Sequence, residues 1–156
     1  MAKTLVAYFS ASSGKVTEKV AREFAEAIGA DIFKIEPVEP YTEADIKWTN
    51  PLSRCNREKM GNKDVPVSGK IDNLSEYERV FIGFPIWYMA QPNIINTFCK
   101  GYDWAGIRVY IFATSGGSGI GKTAEKLKPY VYGAAELYAE VVHDSSELTD
   151  WANILG

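Results

Sequence analysis

The segment Val80 to Pro92, VFIGFPIWYMAQP, decides the fold. Val80, Phe81, Ile82, Gly83 and Phe84 form a short apolar run of β-formers, the pattern of a strand covered on both faces. Pro85 ends it, and Ile86, Trp87, Tyr88 and Met89 follow as a loop closed by Pro92. A helical pattern then runs from Asn93 to Cys99 with Ile94, Ile95 and Phe98 on its apolar face. Loops ordinarily take small polar residues. Two adjacent aromatics at the carboxyl end of a buried strand point to a surface that receives something flat; in the competing reading Trp87 and Tyr88 fold back over the core.

Upstream, Leu5 to Phe9 reads as a first buried strand that breaks at once into hydroxyls and a glycine, Ser10-Ala-Ser-Ser-Gly-Lys-Val-Thr17. From Thr17 a helix carries an apolar stripe through Val20, Ala21, Phe24, Ala25 and Ile28, and Gly29 stops it as a C′ residue. Such a loop gathers free N–H groups, hydroxyls and the positive end of a helix dipole, which suits a phosphate. A plain serine-rich turn with an N-cap is the alternative. Asp31 to Glu36 alternates and meets Pro37 and Pro40, as expected of a strand near the sheet edge. Residues 41–69 turn polar and irregular, with Thr42 expected to cap a short helix through Ala44, Ile46 and Trp48. Long loops in small domains are often functional, but a solvated cover over the sheet edge is the simpler expectation for this one.

Downstream, Ile107 to Ala113 forms a fourth strand ending in a second glycine-hydroxyl loop, Thr114-Ser-Gly-Gly-Ser-Gly-Ile-Gly121. A helix with Ala124, Leu127, Tyr130 and Val131 follows, then a fifth strand from Ala135 to Val142 and a closing helix capped by Ser145 or Ser146. Strands and helices alternate throughout. This predicts an α/β fold, an open parallel sheet with helices on both faces. Ligands of such folds sit beyond the carboxyl ends of the strands, where strand order reverses. The loops 10–17, 85–92 and 114–121 leave those ends, and together they describe a ligand with a phosphate at one end and a flat conjugated ring at the other.

Composition narrows the function. With 156 residues, 46% hydrophobic and 24% charged, the chain reads as a single domain, 1–156, with its own core. A net charge of −3 and a pI near 5.3 argue against nucleic acid. No stretch nears the roughly 18 to 20 apolar residues that span a bilayer, and Met1 to Thr4 runs into a strand without an apolar leader. A cytoplasmic protein with no membrane partner is expected. Cys55 and Cys99 have neither metal spacing nor a CxxC pattern and are read as bystanders, so no metal site is expected.

Leu5-Val-Ala-Tyr-Phe-Ser10, Gly83-Phe-Pro-Ile-Trp-Tyr88 and Phe112-Ala-Thr-Ser-Gly-Gly-Ser-Gly119 resemble the three signature regions of short flavodoxin-like proteins, over nearly the whole chain. The resemblance implies a doubly wound five-stranded parallel sheet of order 2-1-3-4-5 with bound FMN. By position, Ser10, Ser12, Ser13, Gly14, Lys15 and Thr17 would surround its phosphate, and Pro85, Ile86, Trp87 and Tyr88 would flank the isoalloxazine, with Trp87 stacked. Thr114, Ser115, Gly116, Gly117 and Gly119 would pass their backbone along the ring's other edge, where glycine lets an amide approach. Flavodoxin is itself a standard example of the switch-point rule, so rule and resemblance are not independent. The phosphate loop is also longer than the family's S-x-T-G-x-T, which leaves the pairing of hydroxyls with phosphate oxygens open.

A rival motif is present. Gly116-Gly-Ser-Gly-Ile-Gly-Lys-Thr123 matches the nucleotide P-loop pattern G-x-x-x-x-G-K-[ST] between a strand and a helix. A P-loop ordinarily opens its domain, with later strands to supply an acidic magnesium ligand, and here only a short tail follows. On the flavin reading Lys122 and Thr123 face solvent. No residue reads as a catalytic acid or base, since the single histidine, His143, falls at the far end of the fifth strand. The chemistry would belong to the cofactor. A carboxylate about 8 Å from the reduced ring would cost about 2 kcal/mol at an effective dielectric of 20, near 90 mV for one electron. The three loops contain no acid. Family carriers of low potential tend to be strongly acidic, so this charge balance favours broader redox use. The expected function is electron transfer through non-covalently bound FMN with a redox partner protein. The alternatives are an FMN-dependent NAD(P)H:quinone-type oxidoreductase and a binding module that holds a phosphate ligand without turnover, as monomer or homodimer.

Overall fold

A computed structural model describes residues 3–10, 16–38, 42, 52–54, 57–58, 65–85, 91–114 and 123–155. Their elements in chain order are β1 (Thr4–Tyr8), α1 (Val16–Ile28), β2 (Asp31–Lys34), β3 (Glu36–Pro37) and β4 (Val67–Ser68). There follow β5 (Arg79–Pro85), α2 (Asn93–Lys100), β6 (Arg108–Thr114), α3 (Thr123–Leu127), β7 (Glu136–Val142) and α4 (Ser145–Leu155). The main sheet is parallel throughout, in the order β2-β1-β5-β6-β7, which is 2-1-3-4-5 counted over its own strands. The expected topology is the observed one.

Side-chain alternation in the three central strands splits the core in two. Leu5, Ala7, Val80, Ile82, Val109 and Ile111 face Ile94, Ile95 and Phe98 of α2. On the other side Val6, Tyr8, Phe81, Tyr110 and Phe112 meet Val20 and Phe24 of α1 and Leu148 of α4. Burying each large apolar side chain contributes about 1.5 to 3 kcal/mol, so both helical layers are held by the sheet. Helix α1 ends as expected: Gly29 has φ of 67°, its N–H reaches the Glu26 carbonyl at 3.4 Å, and the Ala30 N–H reaches that of Ala25 at 2.9 Å. This is a Schellman cap, which glycine closes without strain.

Several local expectations are corrected. The segment 31–36 is not one strand: β2 ends at Lys34, Ile35 turns into the core, and Glu36–Pro37 pairs antiparallel with Val67–Ser68. Within 41–69 the described residues are in part exposed, as a solvated cover would be, and in part anchored. Val65 is buried and its N–H donates to Thr97 Oγ1 at 3.1 Å, while Asn93 Nδ2 donates to the Glu58 carbonyl at 2.8 Å. Just beyond, the Ile71 N–H donates to the Tyr102 hydroxyl at 2.9 Å. The helix expected near Ala44 to Trp48 lies outside the described residues. After β6, α3 gives way to a 3₁₀ turn, Lys128–Val131, where Pro129 cannot supply an amide. Helix α4 is capped by Asp144, whose Oδ1 accepts the Glu147 N–H at 2.9 Å, and not by Ser145 or Ser146. An N-cap accepts from the third helical amide, and Asp144 is the residue in that position.

Gly83 is fixed by packing. It pairs with Phe112 across β5 and β6, and a Cβ added there would stand 2.1 Å from the Phe112 ring. Phe112 is fully buried and meets Phe24 edge-on at 6.4 Å, so the ring has little room to yield. We expect Gly83→Ala to destabilise the fold by about 1 to 3 kcal/mol, seen as a lower urea midpoint with an unchanged slope. An unchanged midpoint would show that the ring has somewhere to go.

Candidate functional site

The strands β1, β5 and β6 are neighbours, and the loops after them leave one edge of the sheet. From β1 the chain passes to β2 on one side and later returns to β5 on the other, so strand order reverses between β1 and β5. That is where a crevice opens in such sheets. Of the expected site residues, Ser10, Thr17, Pro85 and Thr114 are described. Ser12, Ser13, Gly14, Lys15, Ile86, Trp87, Tyr88, Ser115, Gly116, Gly117 and Gly119 lie outside the described residues.

The described four mark the bases of all three loops. Ser10 is partly buried just past β1, and Pro85 closes β5 opposite Thr114, the last residue of β6. Thr17 lies in the first turn of α1. Its Oγ1 stands 2.7 Å from Thr114 Oγ1, and both residues are buried, at 2% and 7% exposure. A hydrogen bond thus joins the end of the first loop to the start of the third. Thr114 was expected to contribute its backbone; its side chain faces the first loop.

Glu18, next to Thr17, was read only as part of a helix. Its Oε1 accepts from the Tyr8 hydroxyl at 2.9 Å and lies 3.4 Å from Lys34 Nζ and 3.6 Å from Arg22 Nη2. Burial acts to raise its carboxyl pKa, but the Tyr8 hydrogen bond and the two cations outweigh that and hold it below the usual 4.5. Burial, with help from Glu18, pushes the Tyr8 phenol up to about 12. The acid is favourable at a helix amino terminus, and its charge is offset before it can oppose an anion. Only an acid one residue past the loop hinted at this; Lys34 arrives from β2, and no local pattern announces it.

The remaining candidates do not add to this pair. His143 follows the carboxyl end of β7, on the same edge as Thr114, but is exposed and sits 3.1 Å from Glu147. Burial raises the Cys99 thiol well above its ordinary pKa, consistent with an inert core residue, while Cys55 lies outside the described residues. Thr123 does not face solvent: it is fully buried at the start of α3, because the helix turns that side chain inward beside Leu127. Lys122 lies outside the described residues. Among the described residues no cluster of three acidic, histidine or cysteine side chains is arranged for a metal, and no helix is long and apolar enough to cross a membrane. Open clefts beside Ala134–Leu137 and beside Tyr77 and Arg108 lie at the amino ends of the strands, away from the loops.

The chain belongs to the flavodoxin family, which it matches over residues 3–155. Among solved structures it is similar to a protein of Bacteroides eggerthii assigned as a flavoprotein, with 37% identity, a TM-score of 0.88, and 99% of this chain and 98% of that one covered. A second such protein, from Bacteroides uniformis, has 34% identity and a TM-score of 0.85, covering 97% and 98%. A flavoprotein of Lactobacillus acidophilus, solved in complex with FMN, has 26% identity and a TM-score of 0.72, covering 97% and 99%. Comparison with curated proteins gave no match.

The Glu18 cluster sets a pH dependence. The folded pKa lies below the unfolded value, so its stabilisation is complete above the ordinary 4.5 and disappears as pH falls through the folded pKa. Tyr8→Phe is expected to cost about 1 to 2 kcal/mol at neutral pH, with the gap to wild type closing below pH 4.5. Thermal midpoints across that range measure it; a gap independent of pH would remove the charge from the account.

Proposed function

We propose that this protein binds FMN non-covalently at the carboxyl ends of β1, β5 and β6 and transfers electrons through it. The observation that carries this reading is the buried Thr17–Thr114 hydroxyl pair at the amino terminus of α1, in a family member with an FMN-bound relative. These residues fit the phosphate end of the cofactor. Hydroxyl donors and the helix terminus face the loop, and the adjacent carboxylate of Glu18 is already compensated by Lys34 and Arg22.

FMN supplies the redox chemistry when bound, taking up and passing on electrons. The chain's part is to hold and orient it. Ser10, Ser12, Ser13, Gly14, Lys15 and Thr17 hold the phosphate, Trp87 covers one ring face with Pro85, Ile86 and Tyr88 beside it, and the glycines of 115–119 bring backbone amides to the ring edge. With no acid in these loops, reduction is not opposed by nearby negative charge. The electron donor or acceptor is a redox partner protein, in the cytoplasm.

Two measurements test this. Trp87→Ala is expected to weaken FMN by more than about 1 kcal/mol through lost stacking area, read by fluorescence titration; equal affinity would remove Trp87 from the ring face. Under anaerobic conditions the loaded protein is expected to stay oxidised with NADH or NADPH alone. Bleaching by either nucleotide without a partner would instead assign an NAD(P)H:quinone-type oxidoreductase, the alternative favoured by the near-balanced charge.

A further inference from the structure

The hydroxyl pair invites a proton count. Each threonine hydroxyl carries one donor proton and two acceptor lone pairs. At 2.7 Å one of the two O–H groups donates to the other, which consumes one proton and leaves one. Among the described residues neither hydroxyl has a further side-chain hydrogen bond, although both are more than nine-tenths buried. A buried donor needs an acceptor. The pair stands where α1 begins, so the acceptor nearest in kind is an anion at that helix amino terminus.

We infer that Thr114 is a positioning residue for phosphate recognition: by donating its proton to Thr17 Oγ1 it orients Thr17, so that the Thr17 hydroxyl proton is left to be delivered to a phosphate oxygen of FMN. This rests on the FMN reading above. An isolated threonine hydroxyl rotates among three staggered positions; when Thr17 accepts from Thr114, the position that points at Thr114 is closed to its proton. Thr114 is 97 residues from Thr17 and belongs to the strand that launches the ring-edge loop. The contact therefore links the two halves of the site.

A merely structural clasp between α1 and β6 would affect every flavin alike. The test compares FMN with riboflavin, which has the same ring and no phosphate, on the full chain. Thr114→Val keeps the shape and deletes the hydroxyl. It is expected to weaken FMN roughly five- to tenfold and riboflavin less than about twofold, with Thr114→Ser restoring the FMN preference. Should the valine variant not fold, Thr114→Ala reports the same ratio. Equal losses for both flavins, or an unchanged FMN affinity, would overturn the proposal while leaving FMN binding intact. A wild-type protein that binds neither flavin would overturn both.

Discussion

All five strands of the main sheet run the same way, and the rest of the molecule follows from that constraint. Parallel neighbours need crossovers, and the crossovers place helices on both faces. Central strands must then be apolar on both sides, as β1, β5 and β6 are. Every strand also delivers its carboxyl end to one edge, where Thr114 at the end of β6 meets Thr17 at the positive end of α1. Strand direction brings these loop bases and a helix amino terminus together before any single residue is considered.

Packing and chemistry are joined through the face that α1 covers. Phe112 lies over Gly83, meets Phe24, and belongs to the same strand face as Thr114 two residues on. Phe112 and the Thr114 hydroxyl thus both lie on the face that α1 covers. Tyr8, on the same face of β1, holds Glu18 by its hydroxyl. A core tyrosine therefore positions the carboxylate beside the loop base, while Lys34 and Arg22 offset its charge.

The architecture was legible because it is written in short-range pattern: buried runs at 5–9, 80–84 and 107–113, separated by helical stripes. The loops were legible from residue types that strand ends rarely carry. What escaped depends on partners distant in sequence. Nothing in the polar stretch 41–69 reveals that Val65 is tied to Thr97 or that Glu58 meets Asn93. Glu18 reads as an ordinary helical acid until Lys34 is placed beside it. Thr123 reads as the end of a nucleotide motif until its burial shows it packed inside the fold. Ser145 and Ser146 looked like caps because serine often is one, and only the geometry selects Asp144.

The central claim is that the carboxyl edge of this sheet is an FMN site. The most direct test is the visible absorption spectrum of the purified protein with and without added FMN. The account predicts flavin bands shifted and sharpened from those of free FMN, saturating at one flavin per chain. A protein that leaves the spectrum of added FMN unchanged would contradict it and return attention to the glycine-rich loop ending in Lys122 and Thr123 as a nucleotide site.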